Sequence, residues 1–400
     1  MINQLVAAVM MASSLSPACP ASSLPLGDAD LAETRTTQTL ARGVTLTSIV
    51  RGTDPAAAGE INTTTRGPWR VQVLTIDPRR ARGHLQATYG KDLAGTETVT
   101  DLVRDAGALA GVNASFFTFT ASQLYPGTPV GVGVYDGKLL SEPTTDPAEA
   151  DLVVDHGRVA VGKLTWSGVV RNPRNGSSLA LSTINEPPVV PAACPDQLTC
   201  TVPGQVASFT SSFAAQTPSG AGSEVVLDKR GCVVRSGSTR GTALATGETS
   251  LQATGSQTAE LLALVTGCVR VTSSLSDAAG RAVTLHPDTY AVNGRYRLTE
   301  NGEIVVPAGT GSFFARNPRT IAGVTGSGSL VLATIDGRQT TSVGTTMDET
   351  AAVAKALGLR DAINLDGGGS TTMSIRGELV NTPSGGSQRP VGDALVWVGR

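Results

Sequence analysis

The stretch that most restricts this chain is Asn364-Leu365-Asp366-Gly367-Gly368-Gly369-Ser370-Thr371-Thr372-Met373. A helix-like run, Asp348 to Leu357, precedes it and is closed by Gly358. Ala362, Ile363 and Leu365 then read as a short buried strand that delivers Asp366 to its carboxyl end. Three glycines in succession follow the carboxylate. Glycine tolerates positive φ and, lacking a Cβ, lets other groups crowd against the backbone. Such a turn can present its N–H groups as an anion-binding nest, with Ser370, Thr371 and Thr372 adding hydroxyls. A carboxylate beside an anion cradle points to chemistry on a phosphate-bearing molecule. The simpler alternative is a tight turn in which Asp366 caps its own backbone.

The rest of the composition fits a chain of short strands and turns. Only 16% of residues are charged and 46 are glycine, against a usual quarter charged. The formal net charge is −2, and the only basic run is Arg79, Arg80 and Arg82. Nucleic-acid binding needs a clustered positive face, so a nucleic-acid partner is excluded from the reading.

Residues Ile2 to Leu15 are apolar and lead into small residues at Ala18 to Ala21, the pattern of a cleavable export signal over residues 1–21. The run is too short and too interrupted by serine to span a bilayer. Its amino-terminal end lacks Lys and Arg, and the first basic residue is Arg35. Setting Cys19 aside leaves four cysteines, an even number that suits disulfides in an exported chain. The expected pairs are Cys194–Cys200, which flank a Pro-rich loop, and Cys232–Cys268, each in a strand-like segment. A zinc site is the rival, but no CxxC pair or nearby histidine supports it.

Residues 22–42 are rich in Ser, Thr and Ala and read as a flexible lead-in, with order beginning near Gly43 and one domain filling 43–400. Trp69 to Ile76 alternates as a strand, and Asp77-Pro78 stops it. Thr98 to Ala106 reads as a short capped helix. Leu109 to Val112 then forms a buried strand ending at Asn113. The sequence of helix, glycine, buried strand and terminal polar residue is shared with the Asp366 block, which places Asn113 and Asp366 on one rim. Hairpins are expected at Asp136-Gly137 and His156-Gly157, and strands at Glu224 to Arg235 and Leu261 to Ser274. Residues 204–281 read as a β-rich subdomain.

Among polar clusters, Thr346-Met347-Asp348-Glu349 is a capping-box sequence, which by itself accounts for Glu349. The functional alternative makes Glu349 a second carboxylate facing Asp366, since carboxylate pairs run glycoside hydrolysis. Arg316, Arg319 and Arg389 offer planar forks that match phosphate oxygens. Asp336-Gly337-Arg338 reads most simply as a β-turn. The histidines, His84, His156 and His286, show no metal-ligand spacing. That speaks against a two-metal phosphodiesterase. No GxSxG elbow and no GxxxxGK[ST] loop occurs.

Taken together, Gly111-Val112-Asn113-Ala114-Ser115-Phe116-Phe117, Asn317-Pro318-Arg319-Thr320-Ile321-Ala322-Gly323, Asp336-Gly337-Arg338, Glu349, the Asn364–Thr372 block and Arg389-Pro390-Val391 resemble the phosphodiester glycosidase family. The resemblance spans roughly Trp69 to Val398. It implies hydrolysis at the sugar C1–oxygen bond of a sugar–phosphate diester, an exported or lumenal setting, and an α+β fold of β-rich mixed sheets with a few short helices. Ser115 stands where the family more usually has glycine, and Asn317-Pro318 departs from its common run. On this reading Asp366 is the base or nucleophile and Glu349 its partner. Arg319, Arg389 and the backbone of Gly367, Gly368, Gly369 and Ser370, with Thr371, hold the phosphate, and Asn113 binds the sugar. The substrate is a sugar phosphate or phosphoglycan. No cofactor is required, a structural divalent cation stays open, and the oligomeric state is unread. The alternatives are a phosphoglycan-binding module without catalysis and a metal-assisted phosphodiesterase cutting phosphorus–oxygen.

Overall fold

The computed structural model describes residues 23–119 and 121–399. The expected export signal at 1–21 lies outside the described residues. Within them the chain is mostly β, with three short α-helices at Val99–Asp105, Gln257–Leu264 and Met347–Ala356. The expected β-rich sheets with a few short helices are found; the helices only cover sheet faces and strands do the layering, so the fold is mostly β.

An eight-stranded antiparallel sheet runs in the order 33–41, 44–51, 69–76, 330–335, 319–325, 359–364, 297–300, 303–304. Its central strands are apolar at nearly every position, which the two-faced burial explains. In Trp69–Ile76, Leu74 and Ile76 face one core while Val71 and Val73 face another. The first core lies against two five-stranded sheets, which contribute Val112, Leu395 and Trp397 from one and Leu152 and Val292 from the other. The second core is closed by helix Met347–Ala356, through Met347, Ala351 and Ala354, together with Leu24, Leu26 and Trp69.

Residues Glu33–Ala41, expected in a flexible lead-in, instead form a nine-residue strand in register with Val44–Arg51. The cause is two-sided: alternating Thr residues suit a half-exposed edge strand, and the Leu24/Leu26 anchor pulls the preceding chain into the core. The strand expected from Leu261 begins only at Arg270. Residues Gln257–Leu264 are a helix instead, which buries Thr258, Leu261 and Leu264, a three-residue spacing that belongs to one helical face.

That helix covers a smaller core of Val170, Val206, Val225 and Leu251, drawn from strands between 165 and 276. Both expected disulfides are present, Cys194–Cys200 and Cys232–Cys268. The sheets are almost wholly antiparallel rather than mixed; one short ladder, 183–184 on 207–208, is parallel. No helix among the described residues is long and apolar enough to cross a membrane.

Candidate active site

Two strand ends meet at the site. Leu359–Asn364 is a strand of the large sheet and Ala110–Asn113 a strand of a five-stranded one. They are spliced where they end: Asp366 N donates to Ala114 O at 2.9 Å, and Asn113 Nδ2 donates to Asp366 O at 2.6 Å. The expectation that Asn113 and Asp366 share a rim holds in the geometry. The expected role of Asn113 does not. Its Oδ1 accepts from Thr320 Oγ1 at 2.8 Å and Thr372 N at 3.1 Å, and the residue is fully buried. With both ends of the amide engaged, Asn113 braces the junction and cannot reach a sugar hydroxyl.

Asp366 stands at the base of a cleft of about 390 Å³ lined by Phe116, Phe119, Phe313, Arg319, Arg338, Asn364, Gly367 to Gly369 and Arg389. The size suits a small ligand. Three larger clefts, of about 480, 630 and 680 Å³, lie elsewhere; the last also carries Asp361, Arg158, Arg360 and glycines at 326 and 328, but none of them holds the Asp366–Ser370 turn. Asp366 is packed on all sides but the cleft. Loss of bulk water pushes its carboxyl up to about 6, against the opposing pull of the Ser370 hydroxyl, the Gly367 N–H (2.9 Å) and the Arg389 charge.

Most of the expected nest is closed, with the Gly369 N–H alone left without a partner among the described residues. Gly367 N–H bonds the Asp366 carboxylate, Gly368 N–H bonds Pro318 O at 2.9 Å, and Ser370 N–H bonds Gly367 O at 3.1 Å. These donors are therefore taken within the protein. What the missing Cβ atoms allow is the approach of guanidinium groups. A Cβ on Gly369 would stand 2.4 Å from Arg389 Nη2, and one on Gly368 would stand 3.3 Å from Arg338 Nη2. Gly368 also has φ of 60°, a left-handed conformation that glycine takes without strain.

Arg389 lies over the Phe119 ring at 4.5 Å and reaches Ser370 Oγ at 3.4 Å. Ser370 thus links the arginine to Asp366 from beneath rather than facing a ligand itself. Arg338, which sequence reasoning left as a turn residue, is the second cation of the cleft. It has φ of 61° and its fork is steered by Asn317 Oδ1 at 2.7 and 3.2 Å. Arg319 lines the wall, but its guanidinium donates to the carbonyls of Phe313, Ala315 and Thr345. Burial, helped by the neighbouring Arg338 charge, pulls its pKa down to about 10. It shapes the cleft more than it offers free donors.

Two expected site residues fall away. Glu349 forms the capping box with Thr346 and a two-pronged ion pair with Arg316, at 2.7 and 2.9 Å. It is not among the lining residues, so the capping reading accounts for it and the partner reading does not. Thr371 is buried at 1% exposure and lies behind the turn, with its carbonyl held by Asn381. In contrast, Asn364 lines the cleft, is 1% exposed, and its Oδ1 has no partner among the described residues. Strand alternation puts it on the side of Asp366 two residues on, a signal present in the sequence but not used. Beneath the site, Asp393 accepts from Ser115 N, Ser115 Oγ and Tyr135 Oη, each at 2.7 Å. This buried trio fixes the loop that carries Phe116.

A β-layered fold thus brings one carboxylate, a glycine turn and two arginines into one small cleft, an arrangement of hydrolase type. Residues 209–398 match the family described as phosphodiester glycosidase. Arg319, Arg338, Asp366 and Arg389 all fall inside that match. Over 95% of this chain and 99% of the other, the structure superposes on a "Putative exported protein" of Burkholderia pseudomallei, with TM-score 0.80 and 28% identity. A hypothetical protein from Synechocystis shares the fold at TM-score 0.71 and 20% identity, over 92% of this chain and 64% of that one. An SPbeta prophage-derived uncharacterized protein of Bacillus subtilis is 36% identical over 81 residues, 20% of this chain and 13% of that protein. The chain thus matches only a small part of that curated relative.

Proposed function

We propose that this protein is an exported hydrolase that cleaves a glycosyl-1-phosphodiester between sugar C1 and the bridging oxygen. The observation that carries the reading is the placement of Asp366 in one cleft with the guanidinium groups of Arg338 and Arg389. The diester phosphate binds the two arginines, whose forks match its oxygens. The sugar lies along Phe116, Phe119 and Phe313, and Asn364 takes a hydroxyl. A phosphodiester leaves readily as an anion, so the reaction needs no strong acid on the leaving side. No carboxylate but Asp366 lines the cleft among the described residues, which suits that demand. Asp366 supplies the attacking electron pair, to C1 directly or by taking a proton from water. The C1–O bond breaks, its electron pair stays on the phosphate oxygen, and the arginines hold the charge that develops there. Water supplies the new hydroxyl on C1.

Export is supported by the two disulfides, which persist in oxidising compartments, and by the exported description of the Burkholderia relative. The test is a panel of α- and β-glycosyl phosphodiesters, including nucleotide sugars and wall-polymer fragments, run with and without chelator. The expected result is turnover of one class that persists in chelator. Saturable binding with no product from any member would show a binding module instead.

A further inference from the structure

None of the three histidines lines the Asp366 cleft, yet two of them, far apart in sequence, meet at the surface. His156 occupies the first position of the two-residue turn between strands Glu149–Asp155 and Arg158–Gly162. Its φ is 47° and that of Gly157 is 72°. Such turns ordinarily take Asn, Asp or Gly at that position, as the neighbouring Asp136-Gly137 turn does, with φ of 50° and 70°. A histidine here adopts a left-handed backbone that it does not favour, and its imidazole is thereby set against that of His286. The ring centroids are 4.6 Å apart.

Each ring faces a carboxylate through Nδ1: His156 meets Asp288 Oδ2 at 2.9 Å and His286 meets Asp155 Oδ1 at 3.3 Å. Asp288 on Nδ1 of His156 keeps the proton there and leaves that ring's Nε2 lone pair outward, the arrangement that orients metal-binding histidines, whereas His286 Nδ1 and Asp155 Oδ1, 3.3 Å apart, stand as two donor atoms that one metal ion can bridge. The loop carrying His286 is tightly closed. His286 N donates to Thr289 Oγ1 and Thr289 N to His286 O, each at 2.9 Å, and Thr289 Oγ1 donates to Asp155 Oδ1 at 2.6 Å. Gly137 braces it: its N–H bonds Thr289 O at 2.9 Å, and a Cβ there would stand 2.2 Å from His286 O.

One donor atom each from Asp155, His156 and His286 lies within 4.8 Å of the others. Zinc bonds of about 2.0–2.2 Å place tetrahedral donors roughly 3.4 Å apart, so closure needs side-chain shifts on the order of 1 Å in partly exposed groups. Two imidazoles and a carboxylate are a borderline donor set that suits Zn²⁺ and its first-row neighbours. The geometry points to a surface site for a divalent metal of the zinc type, built from Asp155, His156 and His286 and oriented by Asp288 and Thr289. It joins the hairpin tip at 155–158 to the loop at 286–289 and takes no part in the cleft.

The test titrates Zn²⁺, and in a parallel series Co²⁺, into the metal-stripped full chain. The expected result is a single equivalent of Zn²⁺ bound at micromolar concentration, a Tm that rises with Zn²⁺, and visible Co²⁺ bands of four- or five-coordinate character. His156→Asn keeps a residue suited to the left-handed turn, and His286→Gln keeps a polar side chain on the loop. Each should weaken Zn²⁺ binding at least about tenfold without lowering the metal-free Tm by more than a degree or two, and Asp366→Asn should bind Zn²⁺ as the parent does. Absence of stoichiometric binding, unchanged affinity in both histidine variants, or loss of binding in Asp366→Asn would each overturn the assignment.

Discussion

Replacing Asp366 by asparagine removes a charge that the fold tolerates poorly and that the proposed reaction requires. Burial raises its carboxyl from 3.8 to about 6. At about 1.4 kcal/mol per pH unit, that difference corresponds to about 3 kcal/mol against the ionised form, and partial access to solvent through the cleft reduces it to roughly 2–3 kcal/mol. The direction follows from proton linkage. The folded state binds the proton more tightly, so this contribution favours folding below pH 3.8 and is lost as pH rises through about 6. Asparagine undergoes no such loss. The variant should therefore be more stable than the parent by roughly 2–3 kcal/mol above pH 7, and equal to it below about pH 4. For a chain of 400 residues, an unfolding entropy of about 2.1 cal/mol/K per residue converts this to a Tm increase of roughly 3 °C. Calorimetry of both proteins at acid and neutral pH measures it, alongside turnover of the best substrate from the diester panel. A variant that is less stable at neutral pH, or that still turns over, would refute the reasoning.

Other outcomes are expected from the same geometry. The acidic limb of kcat/KM against pH should fall at about 6, and Arg389→Gln should move it to higher pH, because the Arg389 charge lowers the Asp366 carboxyl; a pH–rate series on both proteins checks this. Arg338→Lys and Arg389→Lys keep the charge but lose the fork, and each should lower kcat/KM by about 10²-fold in steady-state assays. Gly369→Ala, which sets a Cβ 2.4 Å from Arg389 Nη2, should lower kcat/KM by roughly tenfold or more, whereas Gly326→Ala, where a Cβ meets open space, should change nothing. Glu349→Ala should cost about 2–3 kcal/mol in denaturant unfolding, through loss of the capping box and the Arg316 pair, yet leave kcat per folded molecule intact.

Where one sequence period dominates, the strands were legible. Trp69–Ile76 and the hairpins at Asp136-Gly137 and His156-Gly157 are found as read, because alternation and left-handed turn residues are local properties. The capped helices at Val99–Asp105 and Met347–Ala356 were legible for the same reason. Gln257–Leu264 was misread because its apolar cluster fits a buried strand as well as one helical face. Glu33–Ala41 was missed because only its partner strand and the Leu24/Leu26 anchor order it. At the site, the convergence of Asn113, Asp366, Arg319 and Arg389 was legible from the family-like blocks. The roles of individual residues were not. Whether Asn113 faces a ligand or braces a junction depends on Thr320 and Thr372, and whether Arg319 is free depends on three carbonyls around it. Arg338 looked like a turn residue because it is one; its conformation also swings the side chain into the cleft. The His156–His286 contact had no local spacing to betray it, since it arises from two loops brought together by the sheet.

Hydrolysis of the preferred diester in ¹⁸O-labelled water tests the central claim most directly. Attack at the sugar carbon puts the heavy oxygen on C1 of the released sugar, and the phosphate product stays unlabelled. Label in the phosphate would mean that the phosphorus–oxygen bond is cut, and would contradict the account.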